Sequence, residues 1–362
     1  MAEKKIKADK ALKDFGDEIV TQVNKGKNPE LVFTLRGLSN IVFDQKARSL
    51  RLGDKTASRA FFNVAHTKKF LQTVEVASIS KDLIKEDKHA SLRDAFYQIK
   101  RTLPGTKINI VDEQTESDKA IEDLEVITGV SREQLHFNAN KNGSIAGKVV
   151  ILDKGDTIDW SKLGSGGWSI PSNVEDITFK KVNAKYILYM EKAAVWERLH
   201  EDKYWDKQNC IIISSQGQTT RGIRRLLQRL SEEHKLPIYI LTDYDPWGFY
   251  IYSVIKYGSI ALAHLGASMT IPNVKFLGIT AQDIEKYGLQ KHLIKLNEND
   301  ISRIKQIMDY EWFKDNKVWQ SQFKEMKKLG SKAEIQALSS RGISFISDKY
   351  LPEKIKNKDF ID

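Results

Sequence analysis

Cysteine is nearly absent from this chain, because Cys210 is the single one among 362 residues. One cysteine excludes a disulfide framework and a cysteine-rich zinc site, and it predicts a reducing compartment such as the cytoplasm. No apolar run approaches the roughly 20 residues that span a bilayer, and the lysine-rich N-terminal segment lacks the apolar part of a secretory signal. We therefore expect a protein that neither crosses a membrane nor is secreted.

Linkers rich in proline, glycine or serine are also lacking, and the sequence holds no internal repeat. Its length suffices for roughly two or three domains with proper cores. Positive charge is in excess: 58 lysines and arginines against 48 aspartates and glutamates give a net charge of +10. This excess favours a polyanionic partner, and charge alone leaves DNA, RNA and anionic membranes open.

Short apolar strands that end in acidic or polar residues organise the second half of the chain. They are residues 184–190 before Glu191, residues 210–213 before the loop 214–219, and residues 238–241 before Asp243 and Asp245. A helix-like segment follows each strand, which predicts a parallel sheet with right-handed crossovers. Since ligands bind beyond the carboxyl ends of such strands, we expect the acidic residues and the loop at one edge.

These carboxylates form a candidate metal site. Carboxylate oxygens are the ligands that Mg²⁺ prefers, and two on one turn leave room for waters and a phosphate. Asp-x-Asp-Pro is also a common turn sequence, so Asp243 and Asp245 alone leave a plain turn open. Together with Glu191 and the glycine-containing loop, they favour a metal-dependent phosphate site.

The sequence pattern of the first half of the chain predicts helices and small strands. Residues 1–27 predict a lysine-rich amphipathic helix, which in its plainest interpretation packs on the next domain, and residues 31–53 predict short strands. Helices at 66–84, from Ser91, and at 117–127, followed by strands within 148–159, predict a winged-helix domain with its wing at 148–159. The connection between the last two helices is longer than in a simple helix-turn-helix.

The helix that starts at Ser91 carries a tyrosine away from its apolar face. At about 100° per residue, Tyr97 lies almost opposite that face. The face consists of Leu92, Ala95, Phe96 and Ile99. Arg93 and Arg101 lie four residues to either side, and guanidinium groups stabilise a phenolate and bind phosphate. Tyr97 is therefore a candidate nucleophile, with an ordinary exposed tyrosine on a basic helix as the alternative.

Another basic helix follows the polar loop 214–219. Arg221, Arg225 and Arg229 recur at intervals of four residues, which would place them in one stripe on a helix. Such a stripe suits the phosphate backbone of DNA without reading its sequence. A solvated helix face with no ligand is the alternative.

These segments resemble one family. A strand ending in Glu191, with a later one ending in Asp243-x-Asp245, resembles the Toprim domain of topoisomerases, primases and some nucleases. Residues 242–262 (TDYDPWGFYIYSVIKYGSIAL) resemble the A subunits of archaeal type IIB DNA topoisomerases (topoisomerase VI) and their meiotic double-strand-break relative. Residues 93–97 (RDAFY) match the Arg-Asp-x-Tyr/Phe-Tyr motif of that family, and the resemblance covers nearly the whole chain.

The resemblance implies an α/β and α+β multidomain fold, in which a winged-helix (CAP-like) domain precedes a Toprim Rossmann-like parallel-sheet domain. Residues 1–59 would form an N-terminal region that contacts the B subunit, residues 60–165 the winged-helix domain, and residues 166–362 the Toprim domain with a helical extension. Tyr97 inherits the role of nucleophile, assisted by Arg93. The implied Mg²⁺ ligands are Glu191, Asp243 and Asp245, and the expected DNA contacts are Arg101, Arg221, Arg225 and Arg229.

The function implied is that of the DNA-cleaving A subunit of an ATP-dependent type IIB topoisomerase, which breaks double-stranded DNA through 5′-phosphotyrosyl links and reseals it. Residues 143–150 (GSIAGKVV) depart from a phosphate-binding loop. The resemblance implies that ATP is bound by a separate B subunit with a GHKL ATPase. A homodimer of A within an A2B2 heterotetramer, associated with the nucleoid in the cytoplasm, would pair the tyrosine of one protomer with the metal site of the other.

Other functions remain open at the level of sequence. A Toprim nuclease would use the three carboxylates with water as nucleophile, and a silent DNA-binding scaffold would need none of them. A meiotic-type break protein would share the cleavage chemistry. Tyr244 departs from the small residue that relatives often carry between the two aspartates, and its bulk is expected to narrow access to the metal.

Overall fold

The computed structural model describes residues 2–362, with side chains from residue 6 onward. The chain forms two compact units. The first contains the residues up to 42, residues 51–140 and residues 263–265, and the second contains residues 43–50, 141–262 and 266–362. This division differs from the predicted boundaries at residues 59 and 165. Among the described residues, no helix is both long and apolar enough to cross a bilayer.

The first unit combines helices with short strands. Its helices are α1 (Ala2–Asn24), α2 (Val64–Glu86), α3 (Leu92–Ile99) and α4 (Gln114–Thr128). The strands up to residue 140 are β1 (Glu30–Thr34), β2 (Ile41–Asp44), β3 (Ser49–Leu52), β4 (Thr56–Ala60), β5 (Ala90–Ser91) and β6 (Phe137–Asn138). Strand β1 pairs with β4, β2 with β3, and β5 runs parallel to β6. The tip of the β2–β3 hairpin, residues 43–50, belongs to the second unit.

Helix α1 is part of the core of the first unit. Its side chains Leu12 and Phe15 are buried in the same apolar cluster as Phe70 from α2 and Leu124 from α4. The prediction that this helix packs on the rest of the chain is thereby confirmed for the residues whose side chains are described. Residue 1 and the side chains of residues 2–5 lie outside the described part.

The second unit carries the remaining elements. Its helices are α5 (Ala193–Glu201), α6 (Tyr204–Lys207), α7 (Arg221–His234), α8 (Pro246–Tyr257), α9 (Ala281–Lys286), α10 (Glu298–Met308), α11 (Glu311–Lys314), α12 (Lys317–Leu329) and α13 (Leu351–Lys356). Its strands are β7 (Ser144–Ala146), β8 (Val149–Asp153), β9 (Asp156–Asp159), β10 (Trp168–Ser169), β11 (Thr178–Val182), β12 (Ile187–Met190), β13 (Ile211–Ser214), β14 (Ile238–Leu241), β15 (Lys275–Gly278), β16 (Ile294–Lys295) and β17 (Ser331–Lys332).

A mixed sheet in the order β10-β7-β13-β12-β14-β15 forms the centre of the second unit. Strand β12 is parallel to β13 and β14, and β14 is parallel to β15, whereas β7 is antiparallel to β13. Residues of β12 and β13 are buried throughout, as expected for strands covered on both faces. The predicted parallel sheet is confirmed, and its order brings the ends of β12 and β14 side by side.

The strands predicted as a wing have other neighbours. Strands β8 and β9 form an antiparallel hairpin, and β8 pairs on its other edge with β11. The hairpin thus lies in a small sheet of the second unit, with β8 turned to the core through Val149 and Ile151. The structure groups this hairpin with the second unit, because β8 finds a strand partner in the sequence that follows it. A wing at residues 148–159 stays a prediction.

Candidate metal-dependent active site

Three acidic residues stand where neighbouring strands of the sheet end. Glu191 directly follows β12, and its N–H donates to Leu241 O, the last residue of β14, at 3.3 Å. Asp243 and Asp245 follow β14 by two and four residues. The polar loop after β13 reaches the same edge, because Ser215 N–H donates to Met190 O at 3.2 Å. The prediction that these groups share one edge is confirmed.

Asp245 occupies the position just before helix α8. Its Oδ1 accepts the N–H of Gly248 at 2.6 Å, and Pro246 takes the first helical position, where its missing N–H costs nothing. A Cβ on Gly248 would approach Asp243 O to 2.5 Å, so this close turn requires a glycine. The turn is thereby both a helix cap and the frame that holds two carboxylates.

Asp243 is buried, with 5% of its surface exposed, and both of its oxygens contact protein donors. Oδ1 accepts the N–H of Ile335 at 2.8 Å, and Oδ2 lies 2.7 Å from the ammonium of Lys192. Lys192 also lies 3.2 Å from Glu334 Oε2. Burial raises the pKa of Asp243 above its usual value, opposed by the hydrogen bonds from Lys192 and Ile335.

Glu191 is held differently. Its Oε2 is buried and has no hydrogen-bond partner among the described residues. Burial, and then the charges of Asp243 and Asp245, raise the pKa of Glu191 to about 8. Burial also raises the pKa of Asp245 to about 6. These carboxylates would be stabilised in their charged form by a further cation.

The residues therefore suit a divalent cation, although the carboxylates are not yet arranged around one. No group of three or more acidic, histidine or cysteine side chains in the described part of the chain is spaced to enclose a metal ion. The contacts of Asp243 with Lys192 and Ile335 account for this, since both of its oxygens are engaged. The buried, unpartnered Oε2 of Glu191 is the observation that fits a metal ligand.

Tyr244 does not narrow this site. Its side chain is fully buried, and its hydroxyl donates to Gln322 O at 3.2 Å. Its backbone forms an antiparallel bridge with Ala333. In this extended stretch successive side chains point to opposite sides, so Tyr244 faces the core while the two aspartates face the other way. The expected obstruction was wrong.

Tyr97 lies in the first unit and is exposed to 58% of its surface. Its helix, α3, begins with a capping box between Ser91 and Asp94 and buries Phe96 on the other side, as predicted. The guanidinium carbon of Arg93 lies 5.9 Å from the centre of the Tyr97 ring. Tyr97 and Arg93 also line a cavity of about 340 Å³ together with polar side chains that include Gln114. A phosphate could therefore approach the hydroxyl.

Arg101 lies where the sequence pattern did not predict it. Helix α3 ends at Ile99, so Arg101 is not one helical turn beyond Tyr97. Its guanidinium instead lies 2.6 Å from Glu75 Oε1 on α2, although the side chain remains 60% exposed. The expected pair of arginines on either side of Tyr97 is reduced to Arg93.

The arginine stripe on α7 is not a surface feature. Arg221 and Arg229 are buried, with 6% and 9% of their surfaces exposed. Arg229 donates to Val174 O and pairs with Glu233, and Arg225 pairs with Glu175. The expectation of an exposed stripe was wrong, because these side chains fasten α7 to the segment before β11. A DNA contact by them stays a prediction that the geometry does not support.

Sequence reasoning missed the cations at the site. Lys192 follows Glu191 directly, so its adjacency was a signal that could have been used. Lys332 pairs with buried Asp300 at 2.8 Å, and both influence the pKa of Asp245. Ile335, which donates its N–H to Asp243, lies 92 residues after it, and no local sequence pattern predicts such a hydrogen bond.

Comparison with known proteins places this geometry in a family. Residues 186–355 match the model of the Toprim domain shared by Spo11 and the topoisomerase 6 A subunit, and residues 68–137 match the model described as "Type IIB DNA topoisomerase". Residues 141–183 match "All-beta domain in DNA topoisomerase VI alpha subunit". The type 2 DNA topoisomerase 6 A subunit of Pyrococcus abyssi is 46% identical over 357 residues, covering 96% of this chain and 93% of the relative. The chain belongs to the family of topoisomerase 6 A subunits.

More distant relatives carry the same name. The type 2 DNA topoisomerase 6 A subunit of Hyperthermus butylicus is 40% identical, covering 95% of this chain and 93% of its own. That of Methanocaldococcus jannaschii is 35% identical with the same coverage. The family expected from the sequence and its enzyme class, a type II DNA topoisomerase, are confirmed. The topoisomerase 6 models also separate the region of Tyr97 from the all-beta region with the β8–β9 hairpin.

Proposed function

We propose that this chain is the DNA-cleaving A subunit of a type IIB topoisomerase, in which Tyr97 breaks the DNA strand. The exposure of Tyr97 carries the proposal. Its helix buries the opposite face, yet the tyrosine is 58% exposed and lies within the region that matches type IIB topoisomerases. The tyrosine also shares an open cavity with Arg93, so a phosphate can reach both side chains, which favours a chemical role.

The reaction is a transesterification. The hydroxyl oxygen of Tyr97 forms a bond to a DNA phosphorus, the bond from that phosphorus to the 3′-oxygen breaks, and the 3′-hydroxyl receives a proton. The protein stays joined to the DNA through a 5′-phosphotyrosine, and the reverse step reseals the strand. Arg93 stands beside the tyrosine ring and supplies a positive charge for the phenolate and the phosphate.

Glu191, Asp243 and Asp245 would hold Mg²⁺ on the second unit. The ion would supply positive charge to the phosphate and to the leaving 3′-oxygen. The protein's own share is to orient these carboxylates, and the N–H groups of Gly248 and Ile335 do so for the two aspartates. One chain contributes one tyrosine and one such site, so a homodimer would serve both strands of a duplex.

We further infer the finer features of the fold. Helices α2, α3 and α4 would form the helical part of a winged-helix domain, and strands β12 to β15 a Rossmann-like Toprim sheet. Residues 1–59 would remain an N-terminal region and residues 166–362 the Toprim domain with its helical extension. A cytoplasmic, nucleoid-associated location would fit a DNA substrate in an archaeal-type relative.

A B subunit with the ATPase would complete an A2B2 assembly, and the surface at α1 and β1 suits its docking. Val20 and Val23 on α1 and Val32 on β1 are each more than half exposed. A cavity of about 410 Å³, lined by Ile19 and Val32 among others, lies between these elements. Exposed apolar side chains beside a cavity favour a protein partner over solvent.

The test is cleavage of supercoiled plasmid by purified A and B subunits with Mg²⁺ and a non-hydrolysable ATP analogue, followed by denaturation. The proposal predicts linear DNA with protein on its 5′ ends, and none with Tyr97→Phe. If Tyr97→Phe still cuts, water is the nucleophile and the chain is a Toprim nuclease. If Glu191→Gln leaves cleavage intact, the carboxylates have no role in cleavage. If the wild type never cuts, the chain is a DNA-binding scaffold. A meiotic-type protein would cut without relaxing the plasmid.

A further inference from the structure

Lys192 is the cation nearest to the predicted metal ligands. It follows Glu191 directly, and its side chain is 24% exposed. Its ammonium lies 2.7 Å from Asp243 Oδ2, 3.2 Å from Glu334 Oε2 and 3.1 Å from Gln336 Oε1. The ammonium thus bridges a buried carboxylate, Asp243, and two acceptors on the segment after β17.

The two carboxylates that contact Lys192 differ in their exposure to solvent. Asp243 is almost fully buried, whereas the side chain of Glu334 is 51% exposed. Asp243 also keeps the N–H of Ile335 on its other oxygen, so its carboxylate stays oriented without the lysine. Removing the ammonium from Asp243 would therefore free an aligned oxygen, while Glu334 and Gln336 would still hold the ammonium.

We propose that Lys192 is an internal counter-ion, which neutralises Asp243 until a divalent cation enters and then shifts to Glu334 and Gln336. The inference rests on the proposed metal site and adds a competitor for one of its ligands. The ammonium lies against Asp243 Oδ2, and a divalent cation held by the same carboxylate would repel it. A lysine suits this task, because its compact charge on a flexible stem can change partners.

This arrangement explains how the carboxylates coexist before metal binding. Three neighbouring acids, of which Asp243 is buried and the other two are partly buried, repel one another, and the ammonium offsets part of that repulsion. Glu191 Oε2 lacks a partner among the described residues, so the counter-ion serves Asp243 and leaves the Glu191 oxygen open. Glu191 would therefore offer an open oxygen to a cation, whereas Asp243 would first have to release Lys192.

The test is Mn²⁺ binding to the full chain, measured by electron paramagnetic resonance and by titration calorimetry. Lys192→Met removes the competitor and is expected to bind Mn²⁺ at least about threefold more tightly. Lys192→Arg, which keeps the charge, should show no such gain. Thermal melts check folding, and Lys192→Gln replaces the methionine variant if that one does not fold.

A double-mutant cycle separates competition from general electrostatics. Glu334→Gln removes an acceptor for the displaced lysine and should weaken Mn²⁺ binding in the wild type. In the Lys192→Met background the same change should have no effect, because no ammonium needs to be displaced. A simple loss of negative charge would weaken binding equally in both backgrounds, and that result would overturn the proposal.

Failure of this inference differs from failure of the metal site. If the wild type binds Mn²⁺ and Glu191→Gln abolishes binding, while Lys192→Met leaves the affinity unchanged, only the counter-ion role is refuted. If the wild type binds no Mn²⁺, or if Glu191→Gln binds it equally well, both the proposed metal site and the counter-ion role of Lys192 are refuted.

Discussion

At the scale of single residues, a backbone N–H holds each of the two aspartates. Asp243 accepts from Ile335 and Asp245 from Gly248, whereas Oε2 of Glu191 has no partner among the described residues. These bonds partly offset the repulsion between the acids and fix their orientation. The two aspartates are therefore oriented before any ion binds, and the charge balance of the site depends on pH.

Mg²⁺ binding should strengthen as the pH rises. In the folded chain the pKa of Glu191 rises from 4.5 to about 8 and that of Asp245 from 3.8 to about 6. The folded chain then holds protons that the unfolded chain has lost, so the stability of the metal-free chain falls as the pH rises through this window. Mg²⁺ needs ionised carboxylates, so its stabilising effect grows in the same direction.

Thermal melts with and without Mg²⁺ measure this dependence. We expect the Mg²⁺-induced rise in Tm to be larger above about pH 8 than near pH 6. Glu191→Gln, which cannot ionise, should flatten the trend. A rise in Tm that is equal at both pH values would refute the role of the raised pKa values.

Gly248→Ala should disturb the turn that holds both aspartates. A Cβ would meet Asp243 O at 2.5 Å and Thr242 Oγ1 at 2.8 Å, so the backbone must shift. We expect a loss of about 1–3 kcal/mol in the free energy of unfolding, together with weaker Mn²⁺ binding. Gly16→Ala is the matched control, because nothing lies within 4 Å of its Cβ position on helix α1. That variant should be neutral or slightly more stable, and an equally mild effect at Gly248 would contradict the account.

At the scale of elements, helices α9 and α13 are joined by a buried ion pair. Lys354 Nζ lies 3.1 Å from Asp283 Oδ1, with side-chain exposures of 0% and 1%. Tyr350 donates its hydroxyl to Asp283 Oδ2 at 2.9 Å. These contacts attach the C-terminal helix to the unit that carries the carboxylates.

Lys354→Met should be strongly destabilising, because Asp283 would stay buried without its counter-charge. A cost of about 3–5 kcal/mol in the free energy of unfolding is typical for such a change. Chemical denaturation followed by circular dichroism measures it. Lys328→Met removes a lysine that is 78% exposed and 3.8 Å from Glu325, and it should cost less than about 1 kcal/mol. Equal costs for the two variants would show that burial is not the cause.

The elements also show which features the sequence could predict. Strands β12 and β14 and the acids that follow them were predictable, because apolar runs and their polar ends are local patterns. The exposed tyrosine on α3 was predictable from helical periodicity. The burial of the arginines on α7 was not, since Arg224 donates to Met269 O, 45 residues away, and Arg225 pairs with Glu175, 50 residues away. Periodicity identifies a helix face, but only the fold decides what covers it.

At the scale of the whole molecule, partners must recognise surfaces that the fold leaves open. The net charge of +10 favours a polyanionic partner such as DNA, and the proposed B subunit needs an apolar surface. Deleting α1 would be a poor test of that surface, because Leu12 and Phe15 belong to the core of the first unit. Substitutions on its exposed side avoid this problem.

Val20→Lys combined with Val23→Lys should weaken the affinity for the B subunit by at least about tenfold. Both side chains are more than half exposed, so charged replacements should leave the fold intact. Ile294→Lys with Val318→Lys, exposed to 45% and 52% in the second unit, is the control. Affinity is measured by titration calorimetry and folding by circular dichroism. An unchanged affinity in the α1 variant would place the B subunit elsewhere.

The most direct test of the central claim is to identify the residue that becomes joined to DNA. Trapped cleavage complexes are digested with trypsin and nuclease, and the peptides are analysed by mass spectrometry. Trypsin cuts after Arg93 and Lys100, and the peptide between them, DAFYQIK, contains Tyr97 as its one tyrosine. We predict a nucleotide on Tyr97 in that peptide. A nucleotide on any other residue, or broken DNA with free 5′-phosphates and no linked peptide, would contradict the tyrosyl-transfer mechanism.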